Sequence, residues 1–258
     1  MNIIIITGAS SGLGEEFARQ LDRLFTHMDE IWLIARRKER MEEISRGLTM
    51  RCRPIGLDLT DPGDMERLHG MLKEKAPVIR MLINCAGFGL MGPVSDIPLQ
   101  EQKEMIRLNC VALTEMTHMC LPYMRRNSRI IQMASSAAFL PQENFAVYAA
   151  TKAYVLSFSQ ALNQELKKQG IRVTSVCPGP VDTAFFTIAE KYGKTLAVKK
   201  LTIVPPDRVV RKALRDCRAG IPLSVCSFPI QAFHVLCKLL PHELIFCMMR
   251  LLQAKKDR

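Results

Sequence analysis

Long apolar runs, paired cysteine motifs and clustered histidines are all missing from this 258-residue chain. No stretch approaches the ~20 consecutive apolar residues that a bilayer-spanning helix needs, so no spanning segment is expected. The five histidines (His27, His69, His118, His234 and His242) have no ligand spacing, and no metal is expected. Nine cysteines make an odd set without a C-x-x-C pair, and most stand in apolar segments. That usage reads as reduced, buried thiols in a cytoplasmic protein. No basic leader with an apolar stretch precedes Asn2, so no secretory leader is expected. Internal repeats, low-complexity tracts and linkers are also lacking, which leaves one domain over residues 1–258.

Acidic residues are outnumbered. The formal net charge is +11, but Lys and Arg fall in small dispersed groups such as Arg36-Arg37-Lys38, Lys199-Lys200 and Lys255-Lys256. Cations at helix ends complement the helix dipole, and no nucleic-acid motif accompanies them, so no nucleic-acid partner is expected.

Strand-length apolar runs alternate with helix-period segments. Strands are predicted at 2–7, 31–35, 51–57, 78–84, 129–134 and 171–177, with a short seventh within 221–227. Helices are predicted at 12–25, 38–48, 61–75, 99–126, 146–168 and 204–220. This alternation implies βαβ units and a doubly wound, Rossmann-like parallel α/β sheet, with ligands at the strands' carboxyl ends.

"TGASSGLG", residues 7–14, stands between the first strand and the first helix. Its glycines suit either a plain strand-to-helix turn or a loop that brings backbone N–H groups to a dinucleotide's phosphates. After the second strand, where a carboxylate would receive a free ribose 2′-OH, the chain has Arg36 and Arg37. Guanidinium groups pair with the 2′-phosphate of NADP, so NADP(H) is expected over NAD(H).

"YAATK" puts Tyr148 and Lys152 one helical turn apart, where an ammonium would depress the phenol's pKa. Alone, that pair also fits surface decoration. It is accompanied by Ser135 and Ser136 after the fifth strand, "NCAG" (residues 84–87) ending the fourth, and "CPGPVDT" (residues 177–183) ending the sixth. Asn109, within the helical stretch before strand five, could equally serve local hydrogen bonding.

TGASSGLG, Asp58 in "LDLT", NCAG, Asn109, Ser135, Tyr148-x-x-x-Lys152 and Pro178-Gly179 occur in the order found in the short-chain dehydrogenase/reductase family. Across residues 2 to about 185 the chain resembles that family. The resemblance implies an oxidoreductase interconverting a carbonyl and a secondary alcohol. Tyr148 would be its general acid/base, Lys152 would hold the nicotinamide ribose and lower the Tyr148 pKa, and Asn109 would order a proton-relaying water. Ser135, thirteen residues before the tyrosine, would bind the substrate oxygen, with Ser136 the neighbour to test.

The cofactor site implied comprises Gly8, Ser10, Ser11, Gly12, Leu13, Gly14, Arg36, Arg37, Ala86, Gly87, Tyr148, Lys152, Pro178 and Gly179. Asp58 would meet the adenine amino group, Asn84 would line the adenosine ribose, and Val181 and Thr183 would meet the carboxamide. The resemblance also implies a homodimer or homotetramer.

Residues 185–258 lie beyond the specific motifs. Phe185, Phe186, Ile188 and Tyr192 are expected in a lid, consistent with a lipophilic substrate. Two apolar helical segments flank Pro241 in the tail, 228–258. That tail suits either a helix hairpin packed on the body or an amphipathic contact with a membrane surface. An NADP(H)-binding regulator and a membrane-associated scaffold are the readings from other classes, and neither needs the full Asn–Ser–Tyr–Lys set.

Overall fold

A computed structural model describes residues 1–25, 27–193 and 203–247. Seven strands form one sheet: β1 (Asn2–Thr7), β2 (Glu30–Ala35), β3 (Cys52–Gly56), β4 (Val78–Asn84), β5 (Met124–Met133), β6 (Arg172–Val176) and β7 (Leu223–Ser224). Their order is β3-β2-β1-β4-β5-β6-β7, and every pairing is parallel. The expected doubly wound α/β sheet is therefore present. Parallel neighbours require crossovers, here made by α1 (Gly12–Leu24), α2 (Lys38–Arg46), α3 (Pro62–Lys75), α4 (Leu99–Ile106), α5 (Leu113–Cys120), α6 (Ala146–Leu166) and α8 (Pro206–Ala219). α7 (Phe185–Ala189) and α9 (Phe228–Leu239) lie outside this pattern.

Strand alternation divides the core in two. Ile3 and Ile5 face α3, α5 and α6 through Leu68, Leu72, Met116, Leu162 and Leu166. Ile4 and Ile6 face α1, α2 and α8 through Phe17, Leu21, Ile44, Val210 and Leu214. All four isoleucines are fully buried, and each such side chain contributes about 1.5–3 kcal/mol on leaving water. The consecutive apolar residues of β1 thus follow from helices covering both faces.

Local signals set the ends of several helices. Asp61 caps α3 by accepting the Asp64 N–H at 2.9 Å, and Pro62 supplies its first residue. Gly220 stops α8 in the left-handed region, φ 72°.

The predicted helix 99–126 is not continuous. α4 passes into a π-helical stretch, Arg107–Ala112, then α5, then a 3₁₀ turn, Leu121–Tyr123. Pro122 cannot continue a helix, so β5 starts at Met124 rather than at 129. In the tail, α9 is followed by Pro241 and a helical turn at 242–247. Lys199, Lys200, Lys255 and Lys256 lie outside the described residues.

Strand order reverses around β1, because β2 and β4 flank it while the chain proceeds outward on both sides. The crevice at the carboxyl ends of β1 and β4 is where such sheets hold ligands.

Candidate active site

The loop after β1 is shaped by two close approaches. Gly8 has φ 66°, and a Cβ there would stand 2.8 Å from the Ala86 backbone. A Cβ at Gly14 would overlap the Gly8 carbonyl, so glycine lets α1 start directly against the strand. Thr7, fully buried, joins the two loops: its hydroxyl oxygen accepts the Cys85 and Ala86 N–H groups at 3.1 and 3.2 Å. A polar residue ending an apolar strand was the only sequence signal for that role.

Arg37 reaches over the loop and donates to the Ser10 and Ser11 hydroxyls at 3.1 and 3.2 Å. Arg36 instead lies by Asp58. Burial pushes the Asp58 carboxyl up, but the Thr60 hydroxyl and N–H, at 2.7 and 2.9 Å, together with Arg36, hold it below the usual carboxylate range. Thr183 approaches Gly12 across the crevice, and Val181 is held by a bridge to Val204.

The second cluster gathers at the ends of β5 and β6. Ser135 follows β5, accepts the Ala137 N–H at 3.1 Å and lies beside the Tyr148 phenol, whose pKa it lowers. Tyr148 stacks on Phe145 at 4.3 Å, with Phe185 of α7 tilted over it at 5.5 Å. Lys152 is buried, donates to the Met133 carbonyl at 2.7 Å and lies 5.6 Å from the Tyr148 ring centroid.

Asn109 sits in the π-helical stretch, fully buried. Its amide donates to the Phe88 carbonyl (2.8 Å) and the Thr151 hydroxyl (3.1 Å), and its oxygen accepts the Phe88 N–H (3.1 Å). Thr151 in turn donates to the Tyr148 carbonyl at 2.7 Å, binding the π turn to α6 between Tyr148 and Lys152. π turns recur at functional sites because the extra residue re-aims a side chain. A single sequence offered no sign of it, nor of Thr151.

Two expectations are corrected. The Asn84 side chain does not line the cleft. It turns inward and donates to Thr117 (3.1 Å) and Gln132 (2.9 Å), because a buried amide at a central strand's end must find polar partners. Cys85, Ala86 and Gly87 line the cleft in its place. Nor is the phenol acidified: burial raises Tyr148 to about 12, with Ser135 lowering it only in part. Lys152 is itself pushed down to about 8 by burial, and it engages a backbone carbonyl rather than the phenol.

The two clusters are the ends of one cleft of about 2580 Å³. A single small-molecule site takes roughly 300–1,000 Å³, so there is space for two ligands side by side. Every residue expected at the cofactor lines it except Asn84, and of the four expected in catalysis only Asn109 stands behind its wall. Beyond Tyr148 the lining is rich in apolar side chains, Phe88, Met91, Phe145, Phe185, Phe186 and Ile188 with Ile230 and Phe233 of α9, and polar groups such as Gln142, Glu143 and His242 share it. Ile230 packs within 2.8 Å of where a Gly179 Cβ would stand, and Phe233 lies 6.4 Å from Phe139. The tail is thus a wall of the cleft.

A glycine cradle open to phosphates, arginine over its rim and half-buried Ser135 beside buried Tyr148 and Lys152 suit a nicotinamide dinucleotide. Comparison with known proteins agrees. The family model for short chain dehydrogenase matches residues 2–192. The serine 3-dehydrogenase of Rhizobium radiobacter is 33% identical over 187 residues, covering 70% of this chain and 73% of that one. A short-chain dehydrogenase from Sphingobium yanoikuyae, solved in complex with NADPH, superposes with a TM-score of 0.79 at 27% identity, covering 98% of this chain and 96% of that one. The bulky-bulky ketone specific alcohol dehydrogenase from Comamonas testosteroni gives a TM-score of 0.74 at 25% identity, covering 93% and 95%. With the family model matching residues 2–192 and relatives above 30% identity over most of both chains, the chain belongs to the short-chain dehydrogenase family of oxidoreductases.

Proposed function

We propose that the protein reduces the carbonyl of a bulky, apolar ketone with NADPH. The observation that carries this reading is the buried Tyr148 phenol, set beside Ser135 where the glycine-loop end of the cleft meets a chamber rich in aromatic side chains. Gly8, Ser10, Ser11, Gly12, Leu13 and Gly14 hold the pyrophosphate, and Arg37, with Arg36 beside it, receives the 2′-phosphate. Asp58, Ala86 and Gly87 border the adenosine half, while Pro178, Gly179, Val181 and Thr183 border the nicotinamide. When bound, the cofactor supplies the hydride.

The chain's own work is orientation and proton delivery. Ser135 and Tyr148 donate hydrogen bonds to the carbonyl oxygen, and the Tyr148 phenol gives it a proton as negative charge develops. Burial raises the phenol to about 12, so at neutral pH it carries the proton that a developing alkoxide takes up. Lys152 holds the nicotinamide ribose, and its ammonium favours the phenolate left behind. Asn109 fixes Phe88 and Thr151 around this centre.

NADPH with a panel of ketones graded from acetone-sized to fused-ring, followed at 340 nm, tests the reading. Turnover should rise with apolar bulk; activity confined to small polar carbonyls would refute it.

Among the described residues, 185–193 serve as lid and 228–247 as tail of the same unit. The exposed apolar side chains Ile106, Val111 and Tyr154 favour assembly as a homodimer or homotetramer.

A second reading concerns the tail's outer face. α9 turns Ile230 and Phe233 to the cleft and leaves Phe228, Val235 and Leu239 exposed. Among the described residues no helix is long and apolar enough to cross a membrane. An interfacial contact is different, and a net charge of +11 complements anionic lipid. The protein should sediment with anionic vesicles at low salt, and Val235→Glu with Leu239→Glu should abolish most of that binding. Equal sedimentation of the two proteins would remove the contact.

A further inference from the structure

α7 lies over the catalytic centre, and its far end is fastened outside the cleft. The Tyr192 hydroxyl donates to Glu101 Oε1 at 2.6 Å, and the Lys191 ammonium donates to the same oxygen at 2.8 Å. The ammonium also stands 5.0 Å from the Tyr192 ring centroid. These two donors hold the Glu101 carboxyl below its usual range, so the charged acceptor persists at neutral pH. Glu101 belongs to α4, which runs directly into the π turn carrying Asn109.

The rest of the segment is seated along the cleft's rim. The Met91 N–H donates to the Ala189 carbonyl at 2.8 Å. Tyr192 rests on Gly92, where an added Cβ would meet the Tyr192 Cβ at 3.0 Å. The Gly92 N–H donates to the Asn144 carbonyl at 2.7 Å, tying in the loop before α6. Residues 185–192 are thus fixed at one end by Phe185 on Tyr148 and at the other by two donors on Glu101. The carboxylate keeps 27% of its side-chain exposure and the lysine 54%, so water can compete for both. An isolated surface ion pair is weak and contributes little to the fold. One carboxylate oxygen shared by an ammonium and a phenol is enough to set how often a short lid lies closed.

We propose that Glu101 is a positioning residue that latches the 185–192 lid over Tyr148 through Lys191 and Tyr192, and so sets how tightly the ketone is held. Glu101 touches neither the cleft's reacting groups nor the cofactor loop. Its effect belongs in substrate KM and not in NADPH affinity. The proposal rests on the carbonyl-reduction reading, but the latch itself can be measured without turnover.

The experiment compares the full chain with Glu101→Ala, Glu101→Gln, Tyr192→Phe and the charge exchange Glu101→Lys with Lys191→Glu. KM and kcat are read with NADPH and a bulky ketone, NADPH affinity by fluorescence titration, and lid opening by amide hydrogen exchange over residues 185–192. Glu101→Ala should raise ketone KM about three- to tenfold and speed lid exchange by a similar factor, with the smaller change in kcat. Glu101→Gln and Tyr192→Phe should show part of each effect, and the charge exchange should restore at least half. Wild-type KM and wild-type lid exchange in both Glu101 single variants would overturn the latch. Faster lid exchange in a protein that turns over no ketone would keep the latch and overturn the reduction reading instead.

Discussion

Replacing Tyr148 by phenylalanine should lower ketone reduction by about 10²–10⁴-fold, the range that a positioned general acid supplies. NADPH affinity should stay within a few-fold, because the ring that packs between Phe145 and Phe185 is retained. Only the hydroxyl beside Ser135 is lost. Its removal leaves the Ser135 hydroxyl able to orient a carbonyl but unable to complete the reaction, so substrate should bind and remain unreduced. Single-turnover absorbance at 340 nm with preformed enzyme–NADPH measures this. A Tyr148→Phe enzyme that still oxidises NADPH at the wild-type rate would assign the proton to another group.

The pH dependence has a definite sign. Lys152, brought down to about 8 by burial, carries its ammonium below that pH and loses it above. The phenol, raised to about 12, stays protonated throughout that range. Reduction should therefore fall as pH rises past about 8, with Lys152 and not Tyr148 as the titrating group. A rate that is flat from pH 6 to 10 would exclude a role for the charge.

Much of this site was legible because its parts are short and local. An apolar strand, a glycine turn and a helix start are consecutive in residues 2–14, and helical spacing alone brings Tyr148 near Lys152. What could not be read depends on distant partners. Asn84 looks like a cleft residue until the side chain meets Thr117 and Gln132 from other elements. The π turn at Asn109 needs the Phe88 backbone and Thr151 to complete it. Spacing predicts a closer Tyr–Lys partnership than burial allows, since the ammonium finds the Met133 carbonyl first. The Glu101–Tyr192 contact spans 91 residues, and no periodicity reports it.

Removing Arg36 and Arg37 together should weaken NADPH by about 10- to 100-fold while leaving NADH within about threefold, because a charge-assisted hydrogen bond to phosphate is lost only where the 2′-phosphate exists. The two arginines are not equivalent. Arg37 spans the Ser10 and Ser11 hydroxyls with one nitrogen and keeps the rest of its fork for a ligand. Arg36 leans on Asp58, so part of its charge already has a partner. Arg37→Ala alone should then account for most of the loss, and Arg37→Lys should recover little, since an ammonium cannot pair with a phosphate through two parallel bonds. The preference should also shrink with added salt, as both guanidinium groups are exposed. Equal losses for NADPH and NADH in titrations at one ionic strength would mean that the arginines only shape the loop. The 2′-phosphate would then have to be recognised elsewhere on the rim.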